Sequence, residues 1–223
     1  ATFRTLDVVG LDTFAHVAGN VHEKVTGKEK EVFEIPAFMK IMLEKGWLGS
    51  KSGQGFFLKK GKEILELDPG TLEYIPRKKL STAATEMSKQ EKGTANKLKA
   101  LVYANDRAGG LLWNIFSPVL VYSAQLLGEI ADTVVDIDRA MKWGFGWEMG
   151  PFETWDAIGV EKSVEKLKEN GLEIPPWVTE MLAKGHTSFY IEENGEQFYF
   201  KNGEYRLVES NPKVIDLKKL KKQ

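Results

Sequence analysis

The 223-residue chain contains no cysteine. That excludes disulfides, thiolate nucleophiles and cysteine-based zinc sites. Histidine is scarce too, with three in all. His16 and His22 stand six residues apart, about 120° round a helix, so they share no metal-binding face. His186 falls just past a helix stop, so no metal site is expected. Neither sign of charge dominates: 31 Lys and Arg against 32 Asp and Glu leave a net charge of −1. A nucleic-acid binder working through a broad basic face is thereby excluded. There is no initiator Met and no charged segment leading into an apolar one, so no cleavable signal is visible. These absences fit a cytoplasmic protein.

Long apolar runs are also lacking, with one exception at residues 109–128, "GGLLWNIFSPVLVYSAQLLG". Its length approaches that of a membrane span, but it carries Asn114, Ser117, Pro118, Ser123 and Gln125. A helix buried at the centre of a helical domain has the same composition, and no membrane span is expected. A dinucleotide-binding glycine fingerprint is missing as well. The nearest stretch, "GSKSGQG" at 49–55, follows a helix rather than a strand and opens no helix. It reads as a domain-closing turn, not a phosphate cradle.

What the chain does have is itself, twice. "FRTLDVVGLD" (3–12) aligns without gaps on "FETWDAIGVE" (152–161), with Phe, Thr, Asp and Gly identical. "IPAFMKIMLEKG" (35–46) aligns on "IPPWVTEMLAKG" (174–185), identical in six of twelve columns. The copies close alike, with "GFFLKKGK" at 55–62 and "SFYIEENGE" at 188–196. Three blocks in one order imply a tandem duplication.

Local signals give each block a form. Asp12 and Glu161 read as acidic N-caps of amphipathic helices. The "IP" blocks start helices with proline in the first turn, ended by Gly46 and Gly185. Asn194-Gly195 and Asn202-Gly203 predict a three-stranded meander, and residues 56–67 a single hairpin. Ser88 and Glu91 suggest a capping box at the head of "SKQEKGTANKLKALVYA". Asp136 and Asp138 suggest a helix start. The second copy's blocks are preceded by about seventy residues of helix-forming sequence that the first copy lacks, so the chain reads as a fragment beginning inside a unit. The expected division is an incomplete first copy at 1–67, a linker at 68–92, a second copy at 93–210 and a tail or linker at 211–223.

Asn114 and the run "IDRAMKWGFGWEMGPFETWDAIG" (137–159) resemble the C-terminal domain of the 3-hydroxyacyl-CoA dehydrogenases. The matching residues are Asn114, Ile137–Met141, Gly144, Gly146, Met149–Phe152, Asp156 and Gly159. In the first copy, "FRTLDVVGLDTFAHV" and "GWLGSKSGQGFF" resemble the same domain's latter half. The resemblance implies a mainly α fold: a duplicated, 6-phosphogluconate-dehydrogenase-like helical domain with short β-hairpins. Tandem copies resemble the multifunctional enzymes of fatty-acid β-oxidation.

The implied reaction is NAD-linked oxidation of an L-3-hydroxyacyl-CoA. Its His–Glu pair and its NAD-binding domain are expected upstream of Ala1, leaving no catalytic residue, and no site for NAD, in this chain. The resemblance marks Asn114 as a substrate-side residue, though in this copy a structural hydrogen bond is the competing reading. Implied partners are an acyl-CoA substrate, the upstream NAD-binding domain and a downstream enoyl-CoA hydratase domain. Two alternatives stand beside this: a dehydrogenase without a fused hydratase, and a non-enzymatic helical interaction or dimerisation module.

Overall fold

The computed structural model describes residues 2–78 and 81–209. The expected tail at 211–223 lies outside them. The chain separates into two compact units, Ala1–Leu80 and Ser81–Gln223. Ten α-helices and two small antiparallel sheets are present among the described residues, in keeping with the mainly α expectation.

The first unit begins with α1 (Thr2–Val9) and α2 (Leu11–Lys24). Gly10 separates them at φ 101°, a conformation that favours glycine, and the chain re-enters a helix at once. Gly10 is therefore the N-cap of α2. Asp12, expected in that role, lies in the first turn and pairs instead with Lys51, 2.5 Å away. Glu161 departs from expectation in the same way, because Gly159 takes the N-cap position. A 3₁₀ turn over Lys28–Phe33 leads to α3 (Ala37–Glu44). Leu11, Met39, Met42 and Phe56 form the core, with Leu6, Phe14, Phe38 and Trp47 packed against it.

Strands β1 (Phe57–Lys60), β2 (Glu63–Leu67) and β3 (Tyr74–Pro76) close this unit as an antiparallel sheet. Leu58 pairs with Leu65, and Glu66 with Ile75. The expected hairpin thus gains a third strand. The turn between β2 and β3 is held by Asp68, whose carboxylate accepts from the Gly70 and Thr71 amides. Its sequence carries no Asn-Gly pair, which is why pattern alone did not show it.

The second unit begins with α4 (Ala83–Gln90) and α5 (Thr94–Val102). Residues 68–92, expected as a linker, thus contain β3 and α4. The capping box belongs to Thr82 and Thr85, not to Ser88 and Glu91. Ser88 is buried within α4 and donates to the Thr85 carbonyl. Helix α6 (Arg107–Gln125) follows, its first amides capped by Asp106. It is not buried all round. Trp113, Ser117, Leu120, Val121 and Ala124 face the core, while Leu111, Asn114, Ile115 and Tyr122 are exposed. No helix among the described residues is long and apolar enough to cross a membrane.

Helices α7 (Val134–Phe145), α8 (Pro151–Ile158), α9 (Val160–Glu169) and α10 (Pro176–Ala183) complete the helical part. α8 runs through the middle, touching α5, α6, α7 and α9. Phe152, Trp155 and Ile158 on it are fully buried, among Leu120, Leu167, Met181 and Phe189. The meander expected here is present: β4 (Tyr190–Glu193), β5 (Glu196–Lys201) and β6 (Glu204–Leu207) pair antiparallel in order. Asn194 and Asn202 adopt φ 52° and 53°, as Asn-Gly hairpin turns require.

Candidate functional site

The second unit is held at its centre by two buried carboxylates. Asp138 projects from α7 and is 1% exposed. It accepts from the Phe152 amide at 2.8 Å, the Glu153 amide at 3.0 Å and the Tyr190 hydroxyl at 2.9 Å. It therefore caps α8 across space and ties β4 to both helices. The expectation that Asp136 and Asp138 serve a helix start divides. Asp136 sits in the first turn of α7, against the N-cap Thr133. Asp138 serves instead the start of the next helix, α8. Gly150 permits this approach, since a Cβ there would run into Asp138.

Asp156, on α8, accepts from the Phe189 amide at 2.7 Å and the Tyr190 amide at 2.8 Å. It fixes the point where the chain enters β4. Burial pushes Asp138 up to about 6 and Asp156 up to about 7, against the hydrogen bonds that favour their charged forms. Burial, with the neighbouring carboxylates, also raises Tyr190 far above the ordinary tyrosine range. Beside them Lys142 of α7 pairs with Glu153 at 2.6 Å.

The first unit repeats the second of these clamps. Asp7 of α1 is 7% exposed and accepts from the Phe56 amide at 2.8 Å and the Phe57 amide at 2.9 Å. Asp7 and Asp156 occupy the same column of the sequence alignment, as do Phe56 with Phe189 and Phe57 with Tyr190. The turn Gly49–Gly55 wraps this carboxylate: a Cβ on Gly49 would meet the Asp7 backbone, and one on Gly55 its side chain. The Gly49 amide is taken by the Gln54 carbonyl. The Ser52, Gly53, Gln54 and Gly55 amides are likewise taken by nearby carbonyls, so the turn closes around the acid.

Sequence reasoning passed over this clamp. The available signal was an aspartate kept in both copies within an apolar helix, flanked by Leu6 and Val9 in one and by Trp155 and Ile158 in the other. A carboxylate in such surroundings must find donors.

Asn114 is exposed on α6, and among the described residues its side chain has no hydrogen-bond partner. The local structural bond considered for it is not formed. Pro118 has no N–H to offer the Asn114 carbonyl four residues earlier, which opens the helix ladder at this point. His16 is exposed and contacts Asn20, 3.1 Å away, while His22 is half-buried. His186 stacks against Phe200 and Tyr205. Among the described residues no group of three His, Asp or Glu could hold a metal ion.

The second unit is thus a helical domain closed by a β-meander, with the buried acids Asp138 and Asp156 hydrogen-bonded to backbone amides. A family model for the 3-hydroxyacyl-CoA dehydrogenase C-terminal domain matches residues 1–59 and 112–199, and the chain belongs to the 3-hydroxyacyl-CoA dehydrogenase family. A Bacillus subtilis (strain 168) protein named a probable 3-hydroxyacyl-CoA dehydrogenase is 64% identical over 221 residues, which is 99% of this chain and 28% of that protein. Proteins provisionally named fatty acid oxidation complex trifunctional enzymes are more distant. The one from Rickettsia felis is 26% identical over 157 residues, and the one from Rickettsia prowazekii 25% over 158. Each alignment covers 68% of this chain and 20% of the relative. The chain thus spans under a third of the length of the relatives it matches.

Proposed function

We propose that the chain is the substrate-side and assembly portion of a longer NAD-dependent L-3-hydroxyacyl-CoA dehydrogenase of fatty-acid β-oxidation, working in the cytoplasm. The observation that carries this is the match of two separate segments to one C-terminal domain family. That pattern, with the paired Asp7 and Asp156 clamps, supports a duplication: an incomplete copy at 1–67, continued here by β3, and a second copy at 93–210. The oxidation needs a base for the hydroxyl proton and a nicotinamide to take the hydride. We place the His–Glu pair and the NAD-binding domain upstream of Ala1, and an enoyl-CoA hydratase domain downstream. This chain then supplies packing surface and no catalytic residue.

Asn114 is the one side chain we assign to the substrate side, because it is exposed and uncommitted on α6. In the longer enzyme, Asn114→Ala should lower kcat/KM for 3-hydroxyacyl-CoA while leaving the melting temperature within about 1 °C, since no internal bond is lost. An unchanged kcat/KM would remove Asn114 from the site.

The purified 223-residue chain, incubated with NAD and 3-hydroxybutyryl-CoA, should form no NADH, while the longer protein should. NADH formation by the chain alone would overturn the assignment. One observation favours a second reading, a helical interaction or dimerisation module: the exposed Leu111, Ile115 and Tyr122 on α6. Turnover by the longer protein, with loss of turnover when residues 81–209 are deleted, would decide against it.

A further inference from the structure

Residues 143–147 read "WGFGW", three aromatic side chains spaced by two glycines. The fold leaves this stretch uncovered. The buried residues of α7, Val134, Val135, Ile137 and Asp138, all lie in its first half, and every residue from Trp143 to Glu148 is exposed. Trp143 is 77% exposed, Phe145 73% and Trp147 37%. A Cβ added at Gly144 or Gly146 would meet nothing within 4 Å, so the spacers stand in open space. Trp113 and Trp155, by contrast, are buried with their indole N–H groups bonded to Asn170 and Ser163. Large rings crowded on one exposed loop mark a contact surface, and Trp is at home where water meets hydrocarbon.

The charges around the loop favour an anionic partner. Arg139, one turn back on α7, lies over the Trp143 ring at 5.8 Å. The neighbouring acids are engaged: Glu153 pairs with Lys142 at 2.6 Å, and Glu148 accepts from the Thr94 hydroxyl at 2.7 Å. Arg139 also donates to the Glu209 carbonyl at 2.9 Å, which brings the chain beside the loop. The sequence that follows Glu209, "SNPKVIDLKKLKKQ" (210–223), carries Lys213, Lys218, Lys219, Lys221 and Lys222 against Asp216 as its single acid.

We propose that Trp143, Phe145 and Trp147, with the lysines of residues 210–223, form a peripheral attachment site for a bilayer surface rich in anionic phospholipid. The rings enter the headgroup boundary, and the lysines meet the phosphate charge. Each signal alone binds marginally, and the two together give stable attachment. The three rings expose on the order of 400 Å², given that such side chains bury about 150–250 Å² each. That is about half of the roughly 800 Å² that each partner contributes to a standard protein interface. Insertion at a lipid boundary needs no such area. The inference goes beyond the dehydrogenase reading and does not depend on it.

The test sediments the longer natural protein with vesicles of phosphatidylcholine, either alone or mixed with an equal part of phosphatidylglycerol. Binding to the anionic vesicles should be at least about tenfold tighter at about 0.1 M salt. It should largely disappear at about 1 M, where the screening length falls from about 10 Å to about 3 Å. Trp143→Ser with Phe145→Ser should weaken binding by at least about tenfold, and so should Lys218→Gln, Lys219→Gln, Lys221→Gln and Lys222→Gln together. The ring variant should keep the melting temperature within about 1 °C, because both side chains are exposed. Equal binding to the two kinds of vesicle would overturn the proposal, as would no binding to either, or binding that neither variant weakens. A concentration-dependent dimer abolished by the ring variant would overturn it too, because a second copy would then cover the loop. Turnover is not read, so a failure to form NADH would sink the enzymatic reading and leave the attachment site standing.

Discussion

Replacing Tyr190 with phenylalanine tests the carboxylate clamp directly. The ring stays, and Phe57 in the corresponding column shows that a ring without a hydroxyl suits this local structure. What goes is one donor to Asp138, the 2.9 Å bond from the hydroxyl. A hydrogen bond to a charged group contributes about 1.5–3 kcal/mol, and one between neutral groups about 0.5–1.5 kcal/mol. Asp138 is pushed up to about 6, so it is charged at pH 8 and mostly protonated at pH 5. Tyr190→Phe should therefore cost about 1.5–3 kcal/mol at pH 8, or roughly 4–10 °C in melting temperature, and about half of that at pH 5. Urea unfolding followed by tryptophan fluorescence reads the right unit, because Trp113, Trp143, Trp147, Trp155 and Trp177 all lie in it and Trp47 alone does not. An equal loss at both pH values would refute the claim that a charged Asp138 is the acceptor. No loss at pH 8 would refute the bond.

Two further outcomes follow from the same groups. Asp138 and Asp156 are raised from 3.8 to about 6 and about 7, so the stability linked to them is full below pH 3.8 and is lost as pH rises through 6 and 7. The second unit should be more stable at pH 5 than at pH 8, by about 1 kcal/mol for Asp138 alone, and a curve that rises with pH over this range would contradict the burial argument. Asp7→Ala should strip the Phe56 and Phe57 amides of their acceptor and destabilise the first unit by about 2–4 kcal/mol. Circular dichroism melts that showed no change would mean that water replaces the carboxylate without cost.

Much of this protein was legible as pattern. The helices announce themselves by apolar spacing and by glycine stops at Gly46, Gly171 and Gly185, and the meander of β4–β6 by its two Asn-Gly turns. These are local choices, made by backbone conformations that few residues tolerate, so the sequence determines them unaided. The family resemblance was equally a property of residue order, and the match at 1–59 and 112–199 agrees with it.

Tertiary structure decided what that order could not. Asp138 reads as part of a helix start, yet its partners lie fourteen, fifteen and fifty-two residues further on. Asp12 reads as a cap, but with Gly10 at positive φ the helix starts before it and leaves Asp12 inside the first turn. The third strand of the first sheet depends on a turn built by the Asp68 side chain. Phe3 and Phe152 are the same residue in the same motif, and only their neighbours bury one and expose the other. Local backbone preferences are written residue by residue, whereas burial and long-range hydrogen bonds belong to whatever the fold brings alongside.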